Sequence, residues 1–191
     1  MSDNKPIIDF DEKKISHENL FSIPIAQYQT TNTDEMNKEL KEIILKKEKE
    51  IPTTNKSNQG GWQSEGDFFR WGGESIEKLY NLFLKLIEHS TKKLEFLETF
   101  PMDFHIYGWA NVNRKGHSNI AHIHPMSTWS GTYYVDAGDE LDDNKCGLFE
   151  AFNPNLSHLM SFFPGLLPGE YLIKPKTGLM NLFPSYVRHG V

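Results

Sequence analysis

The chain has 191 residues, enough for one domain with a real core and too few for two full domains. Its net charge is −6, from 20 basic and 26 acidic residues, and no Lys/Arg block runs along the apolar segments, which argues against duplex nucleic acid as a main partner. No apolar run approaches membrane length, the N-terminus carries no apolar leader, and the only cysteine, Cys146, sits in a polar, turn-like run. The expectation is therefore a soluble protein of a reducing cytoplasm, without an internal disulfide and with Cys146 a poor nucleophile.

Taken in chain order, residues 1 to about 17 are polar and predict little order. Leu20 to Tyr28 alternates partly and reads as an edge strand, because Pro24 cannot donate to a ladder. Residues 33–50 predict a helix, with Met36, Leu40, Ile43 and Ile44 on one stripe; Lys41 to Lys49 is interleaved with Glu and reads as its solvated face. Residues 53–74 read as a loop in which Trp62 and Trp71 either line a substrate mouth or plug the core. A second helix is predicted from Ser75 to Glu98, with Ile76, Leu79, Phe83, Leu86 and Ile87 on one face. After Pro101 come short β-like runs: 104–113, 120–124, 129–136, 147–152, 171–174, 179–183 and 186–189. The pattern predicts an α+β chain, mainly β, with the N-terminal helices packed outside a sandwich or barrel. The domain expectation is one unit over 1–191: an N-terminal strand and supporting helices over 1–100, then the β core over 101–191.

Histidine placement carries the chemistry. His122 and His124 are two residues apart, so on an extended strand both side chains leave by the same face. His189 lies 65 residues beyond His124, in another strand-like segment. Three imidazoles from two strands leave half an octahedron open, the layout of a non-haem Fe(II) site with positions free for O₂ and a cosubstrate. A His-x-His pair alone also occurs on ordinary strands. His17, His89, His105, His117 and His158 lack a comparable partner and read as solvated or structural. The usual facial triad holds a carboxylate where this chain has His124. Asp136 or Glu150 could restore charge, and zinc, copper or nickel would compete for three neutral nitrogens.

From Trp109 onward the chain resembles the 2-oxoglutarate/Fe(II)-dependent oxygenases, close to the prolyl-4-hydroxylase-like branch and to a group of such oxygenases found in marine bacteria and phages. The resemblance rests on Trp109-Ala110-Asn111-Val112-Asn113, Asn119, His122-Ile123-His124-Pro125 and Ser130-Gly131-Thr132-Tyr133-Tyr134-Val135. It continues through Gly147-Leu148-Phe149, Asn153-Pro154, the run from Pro175 to Ser185, and His189-Gly190-Val191. The family more broadly carries His-x-Asp; this chain carries His-x-His-Pro. The resemblance implies a double-stranded β-helix (jelly roll), with Fe(II) held by His122, His124 and His189. It also implies 2-oxoglutarate as cosubstrate, O₂, release of succinate and CO₂, and hydroxylation of a peptide, protein or small molecule. Tyr134, ten residues past His124, stands where relatives place a tyrosine on the distal carboxylate of 2-oxoglutarate, and Thr132 and Ser130 share its face.

Relatives anchor that carboxylate with an Arg or Lys about ten residues past the distal histidine, whereas this chain ends at Val191. Two alternatives are expected: either the sequence is truncated, which would weaken cosubstrate binding, or another base such as Arg70 or Arg114 substitutes, Arg188 facing away from the metal. Two other readings stay open: a cupin-like three-histidine metal enzyme without 2-oxoglutarate, and a non-catalytic β-barrel binding or phage interaction module. Trp62, Trp71 and Trp129 are the candidate mouth. The two amphipathic helices cover one subunit or meet a partner, so a homodimer is compatible with the sequence.

Overall fold

The computed structural model describes residues 13, 15–16, 22–95, 98–99, 103–138, 147–155 and 168–191. The expectations for the first residues, His17, Cys146 and His158 lie outside the described residues.

Strand β1 (Ala26–Gln29) is shorter than the run expected from Leu20, and Pro24 precedes it. Helix α1 (Asp34–Glu50) begins after Thr33, buries Met36, Asn37 and Leu40, and carries Asp34 and Glu35 in its first turn and Lys47 and Lys49 in its last, the order that suits a helix dipole. Helix α2 (Glu74–Leu94) ends sooner than predicted, closed by the Glu95 N–H donating to the Thr91 carbonyl. The segment expected to be a plain loop holds β2 (Asn58–Gln59), β3 (Trp62–Gln63) and a 3-10 turn at Phe68–Arg70.

The C-terminal half is β-rich where the alternation predicts it, in shorter pieces. The strands are β4 (Asn111–Val112), β5 (Ser118–Asn119), β6 (Trp129–Tyr133), β7 (Phe149–Phe152), β8 (Glu170–Ile173), β9 (Leu179–Pro184) and β10 (His189–Gly190). The run expected over 104–113 reduces to β4 plus a bridge from Gly108 to Asp67, and that over 120–124 to one bridge, His122 with His189. Residues 185–187 turn instead of extending, so β10 starts at His189.

Among the described residues, two antiparallel three-stranded sheets, β1–β9–β6 and β10–β7–β8, are accompanied by the two-stranded pairs β2–β5 and β3–β4. The architecture is mostly β with two helices, compatible with a jelly roll. One core lies on the helical side: Met36, Leu40, Ile76, Leu79, Trp62, Phe68 and Ala110, with Tyr133 and Val135 packed against it. The other draws Leu179 and Phe183 from the first sheet and Phe149 and Ile173 from the second, with Val187 beside them.

Strand β6 separates the two by its period of two. Trp129 Nε1 donates to Thr91 Oγ1 at 3.0 Å and the Tyr133 hydroxyl to Asn37 Oδ1 at 2.6 Å, tying that face to the helices. Tyr134, just past the strand, packs into the other core. Gly131 marks the closest approach: a Cβ there would lie 2.8 Å from the Asn181 carbonyl oxygen and 3.0 Å from the Phe83 ring. Gly131→Ala should therefore destabilise the fold by about 1–3 kcal/mol through overpacking; equilibrium denaturation that finds no loss would contradict this packing.

Candidate metal centre

Strand pairing brings the three histidines together. His122 N–H donates to the His189 carbonyl and His189 N–H to the His122 carbonyl, both at 2.9 Å. Residues that exchange both bonds in an antiparallel pair carry their side chains on one face. His124 follows His122 by two residues, and its N–H donates to the Ser185 carbonyl at 3.1 Å, holding it against the turn that leads into β10. One ligand nitrogen from each ring lies within 4.8 Å of the others.

The rings are oriented for metal. His122 Nδ1 donates to the Ile120 carbonyl at 2.7 Å and His189 Nδ1 to the Val187 carbonyl at 2.9 Å. A carbonyl only accepts, so each Nδ1 keeps its proton and each Nε2 presents a lone pair, as metal-bound histidines require. His124 Nε2 and His189 Nε2 stand 3.2 Å apart. Two nitrogens about 2.1 Å from one ion at a right angle would be about 3.0 Å apart, so the His124–His189 pair has the separation of two ligands of a single ion. Neutral imidazoles suit Fe(II), and zinc, copper and nickel as well.

Apolar groups support the cluster. Phe149 stacks on the His189 ring (centroids 5.6 Å apart, 21° between planes), and Phe183 meets it edge-on at 4.7 Å. Both phenylalanines are core residues at 1% exposure. Burial pushes the His189 pKa down to about 4, opposed by the Val187 hydrogen bond and helped by the charges of His122 and His124. Burial also lowers His124, with the His122 charge adding to it. Trp109 lies 5.2 Å from the His124 ring, and the exposed Tyr107 is tilted 6.1 Å beyond it, its hydroxyl bonded to Ser127 Oγ at 3.0 Å.

The other candidates fall elsewhere. Tyr134 packs against the core that holds Phe149 and Phe183, the same phenylalanines that touch His189. Among the described residues its buried hydroxyl has no partner at full hydrogen-bond geometry, and burial raises its pKa to about 12. Thr132 and Ser130 share this face of β6, opposite Asn181 and Phe183. Thr132 Oγ1 is near enough to favour the phenolate slightly, but its hydrogen bond at 3.0 Å is accepted from Asn181 Nδ2. A buried hydroxyl with no partner costs about 1–3 kcal/mol, so an acceptor from a bound molecule fits this position.

Several expectations are corrected. Trp62 and Trp71 plug the helical core, and Trp129 faces α2 through Thr91, so none of the three forms the mouth; Trp109 and Tyr107 flank the cluster instead. Asp136 is bound to Lys41 at 2.6 Å, and Glu150 alternates with Phe149 and Ala151, which face the core, so neither supplies a carboxylate. Among the described residues the cluster is all histidine. Arg114 clasps Glu48 through two hydrogen bonds at 2.6 and 2.8 Å, and Arg188 lies over the Phe152 ring at 4.6 Å, on the outer face. Arg70 lines a cleft of about 240 Å³ with Asp67, Phe69, His105 and Tyr107. His117 closes a turn by accepting the Arg114 N–H at Nδ1, a structural role.

The burial of neutral His189 has a measurable cost. Its pKa is about 4 folded and 6.5 as the ordinary value. Between these pH values the unfolded chain binds more protons, so stability falls as pH drops from about 6.5 to about 4, by at most about 3 kcal/mol from this residue. Denaturation of chelator-treated protein should show that loss and His189→Gln should flatten it; equal slopes in both proteins would refute the assignment.

Residues 107–191 match a family model described as "Putative 2OG-Fe(II) oxygenase", a segment that contains all three histidines and Tyr134. No curated protein matches the chain. The matched model and the three-histidine cluster both fit a metal-binding oxygenase.

Proposed function

We propose that the protein is a 2-oxoglutarate- and Fe(II)-dependent dioxygenase of the prolyl-4-hydroxylase-like branch, built on a double-stranded β-helix, that hydroxylates a peptide, protein or small molecule. The observation that carries this reading is the convergence of one imidazole nitrogen from each of His122, His124 and His189 within 4.8 Å, with two of the rings fixed by a backbone carbonyl. His122, His124 and His189 would hold the iron. The bound iron, cosubstrate and O₂ supply the oxidation, in which 2-oxoglutarate becomes succinate and CO₂ and one oxygen atom enters a substrate C–H bond.

The chain's own residues bind, orient and exclude water. Phe149 and Phe183 keep solvent from the His189 side and hold its ring in one orientation. Tyr134, with Thr132 and Ser130 on the same face, presents hydroxyl donors suited to the distal carboxylate of 2-oxoglutarate. Trp109 and Tyr107 lead outward from His124 and suit an apolar or ring-bearing substrate lying over the metal.

The all-histidine ligand set favours one second reading, a three-histidine dioxygenase that uses no 2-oxoglutarate. One assay separates them. Iron-loaded protein given 2-oxoglutarate in air should take up oxygen and form succinate slowly even without substrate, and His122→Ala should reduce both by at least about a hundredfold. Oxygen uptake without succinate would support the second reading, and neither signal would refute the first.

A further inference from the structure

Strand alternation gives the β3–β4 pair two unlike faces. Trp62 stands opposite Val112, and Gln63 opposite Asn111. Trp62, Ala110 and Val112 belong to the helical core, so Gln63, Trp109 and Asn111 leave by the other face. That face meets the metal centre, because the Trp109 ring lies 5.2 Å from the His124 ring. Gln63 is the diagonal neighbour of Trp109 across the pair, a separation that long and aromatic side chains span.

Hydrogen bonding differs between the faces. Toward the helices, Trp62 Nε1 donates to the Ile51 carbonyl at 2.8 Å, and Ser64 Oγ donates to the Glu65 carbonyl at 2.9 Å and accepts the Ala110 N–H at 3.0 Å. Toward the metal centre, Gln63 is 5% exposed, and its Oε1 is enclosed with no partner among the described residues. Its backbone is bonded, the N–H donating to Thr53 Oγ1 at 3.0 Å and the carbonyl accepting the Thr54 N–H at 2.9 Å. The strand is held in place while the amide oxygen it carries stays unbonded. A buried polar atom in that state is costly, and a hydrogen-bonding ligand removes the cost.

The chemistry of this face narrows the ligand. Residues 57–64 and 106–113 hold no charged side chain. A carboxamide offers an acceptor oxygen beside N–H donors, and the face of an indole takes a flat group. An uncharged planar group with an N–H next to a C=O complements both, and that group is an amide.

We infer that Gln63 is a specificity-determining residue of this site, whose carboxamide hydrogen-bonds an amide of a substrate lying flat on Trp109. The inference rests on the function proposed above and narrows its substrate to amide-bearing compounds, open-chain N-acyl amines or ring lactams. Gln63 precedes the matched segment, 107–191.

The test uses isotope-labelled protein loaded with Zn(II), without 2-oxoglutarate or turnover, followed by nuclear magnetic resonance. Its outcome is therefore independent of the succinate assay, and its failure leaves the iron–keto-acid reading standing. Three probes are titrated: N-methylphenylacetamide, an open-chain amide; methyl phenylacetate, which keeps the shape and the C=O but has oxygen in place of the N–H; and 2-quinolinone, a flat lactam. The amide or the lactam should shift the Gln63 side-chain resonances and bind at least about tenfold tighter than the ester, which leaves Oε1 unpaired. Whichever of the two binds better separates open-chain from ring substrates. In Gln63→Met, of similar length and without the amide, that preference over the ester should shrink to less than about twofold. Should this variant fail to fold, the wild-type comparison of amide, lactam and ester decides alone. Equal binding of all three probes, binding by none, no shift at Gln63, or a preference that survives in Gln63→Met overturns the inference.

Discussion

The reciprocal backbone bonds between His122 and His189 are the constraint on which the site depends. They join two segments far apart in sequence and set both imidazoles on one face at the same height. Everything else follows from that pairing. His124 joins by strand alternation, the Ile120 and Val187 carbonyls fix two tautomers, and Phe149 and Phe183 close the side away from solvent. A slip of one residue in this pairing would turn a ligand to the wrong face, so the metal centre is only as well specified as the register.

Register in turn rests on β9, the most buried strand. Met180 and Leu182 alternate with Asn181 and Phe183, and all four are at 1% exposure or less. A strand buried on both faces reads as a continuous run, and each large apolar side chain contributes about 1.5–3 kcal/mol of transfer energy. The helices therefore do more than cover the sheet. By anchoring Tyr133 and Trp129 they fix the strand whose opposite face carries Ser130 and Thr132. Adaptability remains on the outer side, where Tyr107 and Trp109 meet solvent near His124.

Much of this was legible in the sequence because it depends on short-range periodicity. The period of two puts His122 and His124 on one side, and the helical stripes place α1 and α2 close to their observed bounds. Strand lengths were overread, because apolar alternation continues through turns such as 185–187 where pairing stops. Trp62 and Trp71 showed the reverse problem: an aromatic in a Gly- and Asn-rich segment looks like a mouth, and only tertiary packing turns it into a core plug. The polar row Gln27–Asn181–Thr132 across β1, β9 and β6 could not be read in advance. Gln27 resembles any edge-strand glutamine until β1 docks on β9, although a lone Asn181 amid Met180, Leu182 and Phe183 was a signal that a buried polar partner was required. Asp136 and Glu150 failed as ligands for a related reason, since nearness in sequence to a strand says nothing of which face or which lysine claims the side chain.

The central claim is that three neutral imidazoles hold an iron ion with room for a chelating keto acid. The most direct measurement is an anaerobic titration of the protein with Fe(II) and 2-oxoglutarate, followed in the visible region for the weak metal-to-ligand charge-transfer band of a chelated keto acid. The account predicts a band that saturates at one iron per chain and is absent in His189→Ala. Iron bound without the band, or a band that survives loss of His189, would contradict it.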